Sequence, residues 1–337
     1  SPGGGTDSQG RVLAAYIGKY IPGQPRVVFT NQPNKPQEYL YAATRAPKDG
    51  TYISWNGGAQ LDMGFREDTQ FIRRSTFQFI GTTIDASRVF MTYEPEENLG
   101  AGALGRCLWD YRGQSSTGDG KHGAFYLADE VSDIREGSVG FVSYILAMED
   151  LGAPFKYFAF DTVDTNAILT MWARGDINST VRSSVWHRFP MEQPDWIPNG
   201  RLMASAGMGP GPIRANSQTE PHCGDVGEHL TPENREKYET LHSPNFFLSK
   251  SVWLPPGTPD NIADTMAAAF TKGFEEDPDL AKTYGDVAGE VVTFTRRSDA
   301  MKQAVLDNEA RIENGAAMVE AETERVLNKY FPQYVGG

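Results

Sequence analysis

The spacing of hydrophobic residues alternates along the first part of the chain between that of helices and that of strands. Apolar side chains recur every three or four residues after Thr6, which with Gln9 forms a Thr-x-x-Gln capping box and predicts the start of a helix. The other predicted elements in this part are a strand over 26–30, a helix over 38–45, and strands over 51–55, 77–84 and 89–93. This order indicates an α/β fold with an open parallel sheet.

The same alternation resumes after residues 95–123, a stretch rich in glycine, serine and charge that predicts irregular structure. In the helical pattern over 138–151, the spacing of Phe141, Ile145 and Met148 predicts that these side chains face inward. The other predicted elements are strands over 124–128, 155–160, 201–206 and 246–254 and a helix over 165–174, with a Gly/Pro-rich connector over 207–220. A second α/β unit is therefore predicted.

The C-terminal part of the chain is mostly helical in pattern. Thr258 is expected to cap a helix whose first residue is Pro259, because proline lacks the amide hydrogen that a first helical residue leaves unpaired. Asp277 is expected to precede a second, short helix. A strand is predicted over 291–294, followed over 299–330 by a long helix that is broken near Gly315.

The composition narrows the class of protein. The chain has 337 residues, with 31 Lys and Arg against 44 Asp and Glu, a net charge of −13 and no basic block. Nucleic acid is therefore not an expected partner, because its phosphates require clustered positive charge. The length predicts about two domains, and no apolar run reaches the roughly 18 residues that a membrane-spanning helix needs.

The chain has two cysteines, Cys107 and Cys223, which form either two buried thiols or one disulfide.

The clearest candidate for chemistry is Gly3-Gly4-Gly5-Thr6-Asp7, which leads into the first predicted helix. Glycines let a ligand approach the backbone closely, and the free amides of a first helical turn carry partial positive charge. The segment therefore suits a carboxylate or a phosphate. It is neither a Walker loop nor a dinucleotide fingerprint, because it lacks the lysine of the first and the spacing of the second. A plain tight turn is the alternative interpretation.

Two more segments lie where open α/β sheets bind ligands, at the carboxyl ends of predicted strands. One is Glu136-Gly137-Ser138, just before a predicted helix, and the other is the polar stretch Asp161, Thr162, Asp164 and Thr165. Either segment could instead supply an ordinary helix cap.

Other residues near these loops allow two interpretations each. Trp55, followed by Asn56 and Gly57, could line a pocket or pack in the core. Arg182, followed by Ser183, could bind an anion through two hydrogen bonds or form a surface ion pair.

Motifs for metal binding and catalysis are weak in this sequence. Residues 222–229 contain five potential metal ligands, but their spacing does not match that of structural zinc sites, so a solvated loop is expected. The sequence has no Gly-x-Ser-x-Gly elbow and no His-Glu-x-x-His motif. We therefore expect no metal, no cofactor and no enzymatic activity.

Several short segments occur in an order that spans nearly the whole chain. They are Ser-Pro-Gly-Gly-Gly-Thr-Asp at 1–7, Tyr-Ile-Pro-Gly-Gln-Pro at 20–25, Ala-Pro-Lys-Asp-Gly-Thr at 46–51, Leu-Gly-Ala-Pro-Phe-Lys-Tyr at 151–157, Ala-Arg-Gly-Asp-Ile at 173–177 and Leu-Pro-Pro-Gly-Thr-Pro at 254–259. Together they resemble the substrate-binding proteins of tripartite tricarboxylate transporters, the Bug family of periplasmic receptors.

The resemblance implies a two-lobed, type II periplasmic-binding-protein fold of the α/β class. Lobe 1 would comprise residues 1–85 and 246–337 and lobe 2 residues 86–245, each with a mixed, mainly parallel sheet flanked by helices, and crossover strands would join them. The ligand-binding residues implied are Gly3, Gly4, Gly5, Thr6, Asp7, Trp55, Asn56, Gly57, Ser138, Asp161, Thr162, Asp164, Thr165, Arg182 and Ser183.

The resemblance also implies a function. A monomeric receptor in the periplasm would close about a hinge on a small organic anion, a carboxylate, and deliver it to the membrane subunits of a tripartite transporter. The alternatives are an enzyme on the same scaffold, with Asp161, Asp164 or a histidine as base, and a ligand sensor without a role in transport.

The sequence departs from the family pattern in two places. The loop over 31–36 is shorter than usual, which leaves one wall of the expected pocket in question, and Lys35 within it is expected to point to solvent. The strand that ends in Phe160-Asp161 lacks the usual Gly-Tyr-x-Gly pattern, which leaves the contacts expected at 161–165 in question. The family usually begins one strand earlier, so we expect a further strand, and a signal peptide, ahead of Ser1.

Overall fold

The chain divides into two compact units. The computed structural model describes residues 5–32, 35–57, 72–83, 88–94, 107–112, 124–131, 134, 139–160, 165–182, 193–208, 223–247, 250–288 and 292–334. The first unit comprises Ser1–Asp85 and Pro244–Ala316, and the second comprises Ala86–Ser243 and Ala317–Gly337. Residues 317–337 thus belong to the second unit, whereas the sequence had placed them in the first lobe.

Helices and strands alternate along the described chain. The helices are α1 (Gly5–Tyr16), α2 (Lys35–Thr44), α3 (Val139–Leu151), α4 (Thr165–Arg174), α5 (Pro232–Phe247), α6 (Asp260–Glu276), α7 (Pro278–Ala288) and α8 (Asp299–Tyr330). The strands are β1 (Ser54–Gly57), β2 (Gln78–Thr83), β3 (Arg88–Tyr93), β4 (Phe125–Glu130), β5 (Phe155–Phe160), β6 (Ser179–Arg182), β7 (Leu202–Met208), β8 (Lys250–Leu254) and β9 (Phe294–Arg296). Among the described residues, none of the helices combines the length and the apolar character that crossing a bilayer requires.

The first unit is built on a four-stranded sheet with the order β1-β8-β2-β9, in which each neighbouring pair is antiparallel. Successive residues of β8 point to opposite faces of this sheet. Val252 and Leu254 pack with α1, α6 and α7, whereas Trp253 packs with α2 and the first half of α8. The sheet therefore has helices and a hydrophobic core on both faces.

The second unit contains a three-stranded antiparallel sheet, with β3 between β6 and β7, and a parallel pair of strands, β4 and β5. Phe141, Ile145 and Met148 of α3 are buried in its main core, so the predicted inward face of this helix is confirmed. Parallel and antiparallel pairs both occur, but the described strand pairs other than β4–β5 are antiparallel. The expectation of mainly parallel sheets is wrong because a short apolar run has the same pattern in either direction.

Two predicted strands differ from the structure. Residues 26–30 form no strand and belong to no sheet among the described residues, and Val28 is 66% exposed. Their β-branched sequence favours a strand but does not specify a partner for it. Phe246 and Phe247 end helix α5 and do not begin a strand, so β8 starts only at Lys250. Helix α5 was missed because its polar sequence has little amphipathic pattern.

The helix boundaries show two further differences. Helix α8 continues through Gly315, so the predicted break is wrong. A glycine inside a helix costs about 1 kcal/mol, and the buried side chains of Ile312 and Val319 on either side offset this cost.

Helix α6 begins at Asp260 with Pro259 in the cap position. The Thr258 hydroxyl donates to the Pro255 carbonyl at 2.8 Å, so the predicted cap is wrong by one residue. The predicted start of α7 is confirmed, since the backbone N–H groups of residues 279 and 280 donate to Asp277 Oδ1.

Cys107 and Cys223 form a disulfide, which decides between the two alternatives left open by the sequence. The bond joins residues that are 116 positions apart in the second unit. Next to it, the ring of Trp109 stacks on His229, and the Arg112 guanidinium donates to the His229 carbonyl at 2.8 Å. The disulfide and these contacts connect two segments that share no sheet within the described ranges.

The C-terminal half of α8 is held in the second unit by ion pairs around Glu149 of α3. This carboxylate accepts hydrogen bonds from Arg325 at 2.7 Å and from Lys329 and Tyr330 at 2.6 Å, and Arg325 also pairs with Glu322 at 2.7 Å. Burial alone would raise the pKa of Glu149, but the three donors outweigh it and hold the pKa below its ordinary value of 4.5. These contacts explain why residues 317–337 belong to the second unit.

Reducing the disulfide should lower the melting temperature of the protein. Closing a loop of this length stabilises a folded chain by about 5 kcal/mol in the chain-entropy account, and loss of a native disulfide costs roughly 2 to 5 kcal/mol. Differential scanning calorimetry with and without dithiothreitol measures the change. The double variant Cys107→Ser/Cys223→Ser is the control, because its melting temperature should be low and should not respond to the reductant. An unchanged melting temperature in the reduced wild type would contradict the prediction.

Glu149→Gln should destabilise the protein by about 1 to 2 kcal/mol at pH 7 and by much less at pH 3. The folded state lowers the pKa of this carboxyl, so its stabilisation is complete above the ordinary value of 4.5 and is lost as the pH falls through the folded-state pKa. Urea unfolding of both proteins at the two pH values measures this difference. An equal loss at pH 7 and pH 3 would show that the charge of Glu149 contributes nothing.

Candidate functional site

One edge of the first unit's sheet brings together the start of a helix and the ends of three strands. Lys250, the first residue of β8, is paired with Gly57 at the end of β1 and with Thr83 at the end of β2. Its ammonium group donates to Thr6 Oγ1 in the first turn of α1 at 2.8 Å. The N-terminus of α1 and the carboxyl ends of β1 and β2 therefore lie at the same edge.

Trp55 connects β1 to the start of α1. Its indole Nε1 donates to the Thr6 carbonyl at 2.9 Å, and its ring contacts Tyr284 edge-on, with 6.3 Å between the ring centroids. Gly10 makes this packing possible, because a β-carbon there would collide with the ring of Phe29 and lie 2.8 Å from Trp55 Cδ1. Trp55 is thus partly buried against α1 and fixes the position of its first turn.

Asp7 is engaged within the protein. Its carboxylate accepts hydrogen bonds from Arg11 Nε at 3.0 and 3.1 Å and from Asn31 Nδ2 at 2.7 Å, and only 7% of the residue is exposed. A negative charge in the first turn also interacts favourably with the helix dipole. Asp7 therefore ties the extended segment after α1 to the beginning of that helix.

Lys250 was missed by the sequence analysis. The signal available in the sequence was that Lys250 is the one charged residue of the strand segment Lys-Ser-Val-Trp-Leu. Nothing in its local sequence places it beside Thr6, which lies 244 positions away. A cation next to a helix N-terminus is electrostatically unfavourable by itself and becomes favourable when an anion lies between the two.

The predicted capping box is not formed. Helix α1 begins at Gly5, so Thr6 lies inside its first turn, and the Thr6 hydroxyl is bonded to Lys250. Gln9 is buried, with 2% of the residue exposed, on the face of α1 that packs into the unit. Tertiary contacts therefore override the local capping signal.

A buried hydroxyl pair borders the same edge. Thr83 Oγ1 lies 2.9 Å from the Tyr284 hydroxyl, and both residues are fully buried. Thr83 is the cross-strand neighbour of Lys250, so this hydroxyl pair belongs to the end of β2 that borders the edge.

The structure accounts for part of the predicted site. It brings together Gly5, Thr6, Asp7 and Trp55 in the first unit, and the backbone of Asn56 and Gly57 forms the end of β1. Thr165 begins α4 and Arg182 ends β6 in the second unit, but nothing is described of their side chains. The residues that lie outside the described ranges are Gly3, Gly4, Ser138, Asp161, Thr162, Asp164 and Ser183. For these, and for the side chain of Lys35, the expectations stay predictions.

Asp225 of the second unit is a further titratable group with a shifted pKa. Burial raises its pKa to about 6, although its Oδ1 accepts a hydrogen bond from the Gly227 amide at 2.9 Å. The carboxylate of Asp225 caps the turn that follows the disulfide-bonded Cys223.

The described ranges contain no group of three or more His, Cys, Asp or Glu side chains arranged to hold a metal ion.

Comparisons with known proteins identify the fold. No protein-family model and no curated protein matches the sequence. A TctC solute-binding protein from Polaromonas is 16% identical, with a TM-score of 0.55 over 96% of this chain and 95% of that one. MatC from Rhodopseudomonas palustris with bound malate is 14% identical, with a TM-score of 0.60 over 94% and 96%. The periplasmic binding protein BugD is 14% identical, with a TM-score of 0.55 over 96% and 94%. The chain therefore has the two-lobed α/β fold of periplasmic solute-binding proteins, as the resemblance implied.

Proposed function

We propose that this protein is a periplasmic receptor that binds a small organic anion, a carboxylate, and delivers it to the membrane subunits of a tripartite tricarboxylate-type transporter. The observation that carries the proposal is the position of the Lys250 ammonium group, 2.8 Å from Thr6 Oγ1 in the first turn of α1. At this edge the sequence alone had identified the helix start and the turn at 55–57 as candidates, but not Lys250.

The chemistry of this edge favours a carboxylate. The first backbone N–H groups of α1 have no acceptor within the helix, and the helix dipole adds partial positive charge there. Lys250 contributes a full positive charge, and the hydroxyl of Thr6, which already accepts from Lys250, can donate its hydrogen to a ligand. The net charge of −13 does not oppose binding, because distant charges are screened beyond about 8 Å.

The comparisons and the disulfide support the receptor role. MatC, which shares the fold, was solved with malate bound, and malate is a small dicarboxylate. The Cys107–Cys223 bond suits an oxidising compartment such as the periplasm. In this proposal the second lobe supplies further contacts, for which Ser138, Asp161 to Thr165, Arg182 and Ser183 are the candidates, and the receptor acts as a monomer without a cofactor.

The described residues give the enzyme alternative little support. Ser143 Oγ lies 3.4 Å from His242 Nδ1, which is the type of contact that activates a nucleophilic serine. Both residues are buried in the core of the second unit, and the Ser143 hydroxyl donates to the Gly140 carbonyl at 2.7 Å. This pair therefore contributes to packing, and it gives a substrate no access.

Lys250→Met should weaken carboxylate binding by roughly 10- to 100-fold. The variant keeps the aliphatic part of the side chain and removes a charged donor, whose hydrogen bond contributes about 1.5 to 3 kcal/mol. Isothermal titration calorimetry against a panel of mono-, di- and tricarboxylates measures the change. Lys282→Met is the matched control, because Lys282 is 74% exposed and pairs only with Asp286 in its own helix among the described residues. Equal affinities in the wild type and the Lys250 variant would remove this edge from the binding site.

Thr6→Val and Asp7→Asn should separate binding from stability. Thr6→Val removes a hydroxyl that faces Lys250, so it should weaken carboxylate binding about 5- to 10-fold and change the unfolding free energy by less than about 1 kcal/mol. Asp7→Asn removes a buried charge bonded to Arg11 and Asn31, so it should lower the unfolding free energy by about 1 to 3 kcal/mol. Urea unfolding and calorimetry of both variants test this. If Thr6→Val lost stability without losing affinity, Thr6 would be a structural residue only.

A further inference from the structure

Trp55 belongs to a closed series of contacts around the sheet edge that carries the proposed anion site. Its indole Nε1 donates to the Thr6 carbonyl at 2.9 Å, and the hydroxyl of the same Thr6 accepts from the Lys250 ammonium group at 2.8 Å. Lys250 is in turn the cross-strand neighbour of Gly57, which lies two positions after Trp55 in β1. The contacts therefore run from β1 to α1, from α1 to β8 and back to β1.

The bond from Trp55 holds the first turn of α1 relative to the sheet. Within the helix, the Thr6 carbonyl accepts from the N–H group of Gly10, and this bond fixes the turn only with respect to the rest of α1. The indole adds a second donor that belongs to β1. Because the Thr6 hydroxyl and carbonyl move together, the strand that holds the carbonyl also sets the distance from the hydroxyl to Lys250.

The indole of Trp55 is itself held from two sides. Its ring contacts Tyr284 of α7 edge-on, and the Tyr284 hydroxyl lies 2.9 Å from Thr83 Oγ1 at the end of β2. On the other side, Gly10 leaves the indole room to lie against α1, since a β-carbon there would be 2.8 Å from Trp55 Cδ1. The donor therefore has a fixed position before any ligand binds.

We propose that Trp55 is a positioning residue of the anion site, whose indole N–H holds the first turn of α1 against Lys250 so that both act on one carboxylate. This inference rests on the proposed function. The sequence allowed Trp55 to line a pocket or to pack in the core, whereas in this role it acts on the ligand through Thr6. A ligand that binds between two positive groups binds more tightly when their separation is already fixed, because less entropy is lost on binding.

Trp55→Phe tests this role, because it keeps an aromatic ring and removes the indole donor. In isothermal titration calorimetry of the full chain with malate, adipate and citrate, the variant should bind each acid that the wild type binds about 3- to 10-fold more weakly, the amount that one hydrogen bond contributes. Trp253→Phe is the matched control. Trp253 also donates its indole hydrogen in the first unit, to Ser251 Oγ at 2.6 Å, but it packs with α2 and α8. This control should lose stability and keep the wild-type affinity.

A double-mutant cycle with Lys250→Met separates positioning from packing. If Trp55 acts through the contact between Thr6 and Lys250, the variant Trp55→Phe/Lys250→Met should bind within about 2-fold of Lys250→Met alone. Replacing Trp55 by 3-benzothienylalanine, in which sulfur takes the place of the indole N–H, keeps the shape of the ring and removes only the donor. It should reproduce the loss of affinity in Trp55→Phe, and it decides the point if Trp55→Phe does not fold.

The outcomes separate the role of Trp55 from the proposed function. Unchanged affinity without the indole donor, an equal loss in Trp253→Phe, or losses that multiply in the double variant would each overturn the role of Trp55. The proposed function survives these results if Lys250→Met still weakens binding. Equal affinities of Lys250→Met and the wild type, or binding of none of the acids by the folded wild type, would overturn both.

Discussion

The antiparallel position of β8 between β1 and β2 is the constraint on which the candidate site depends. This arrangement places Lys250, the first residue of β8, level with the last residues of the other two strands. The start of α1 meets this edge, so a positive side chain lies 2.8 Å from the first turn of a helix that is itself positive at this end. In the proposed function an anion binds between these positive groups, and its site then follows from the sheet order.

The helix start is held in place by groups that do not need a ligand. Trp55 bonds the Thr6 carbonyl, Asp7 bonds Arg11 and Asn31, and Gly10 lets two aromatic rings approach the helix closely. These contacts fix the first turn of α1 in the protein without a ligand. The conformational entropy of this turn is therefore lost during folding, and less entropy is lost when a ligand binds.

In the second unit, different interactions hold the segments that lie outside the sheets. Its main core is continuous, but the segments around Cys107 and Cys223 and the end of α8 lie outside its sheets and are attached by a disulfide and by the ion pairs of Glu149. Around Cys223 the disulfide adds to backbone hydrogen bonds with β7, in which Cys223 N donates to the Ala204 carbonyl at 3.0 Å and Gly207 N donates to the Gly224 carbonyl at 2.8 Å. The buried Ser143–His242 contact belongs to this packing and not to catalysis.

The sequence by itself determined the local elements and the helix start at Gly5 to Asp7, because hydrophobic spacing, glycine content and caps such as Asp277 act within a few residues. It also carried the family resemblance that implied the fold. It could not determine strand direction, the unpaired state of residues 26–30, the continuity of α8, or the disulfide, since each depends on residues distant along the chain. Only the tertiary structure placed Lys250 beside Thr6, because contacts across 244 positions leave no periodic signal in the sequence.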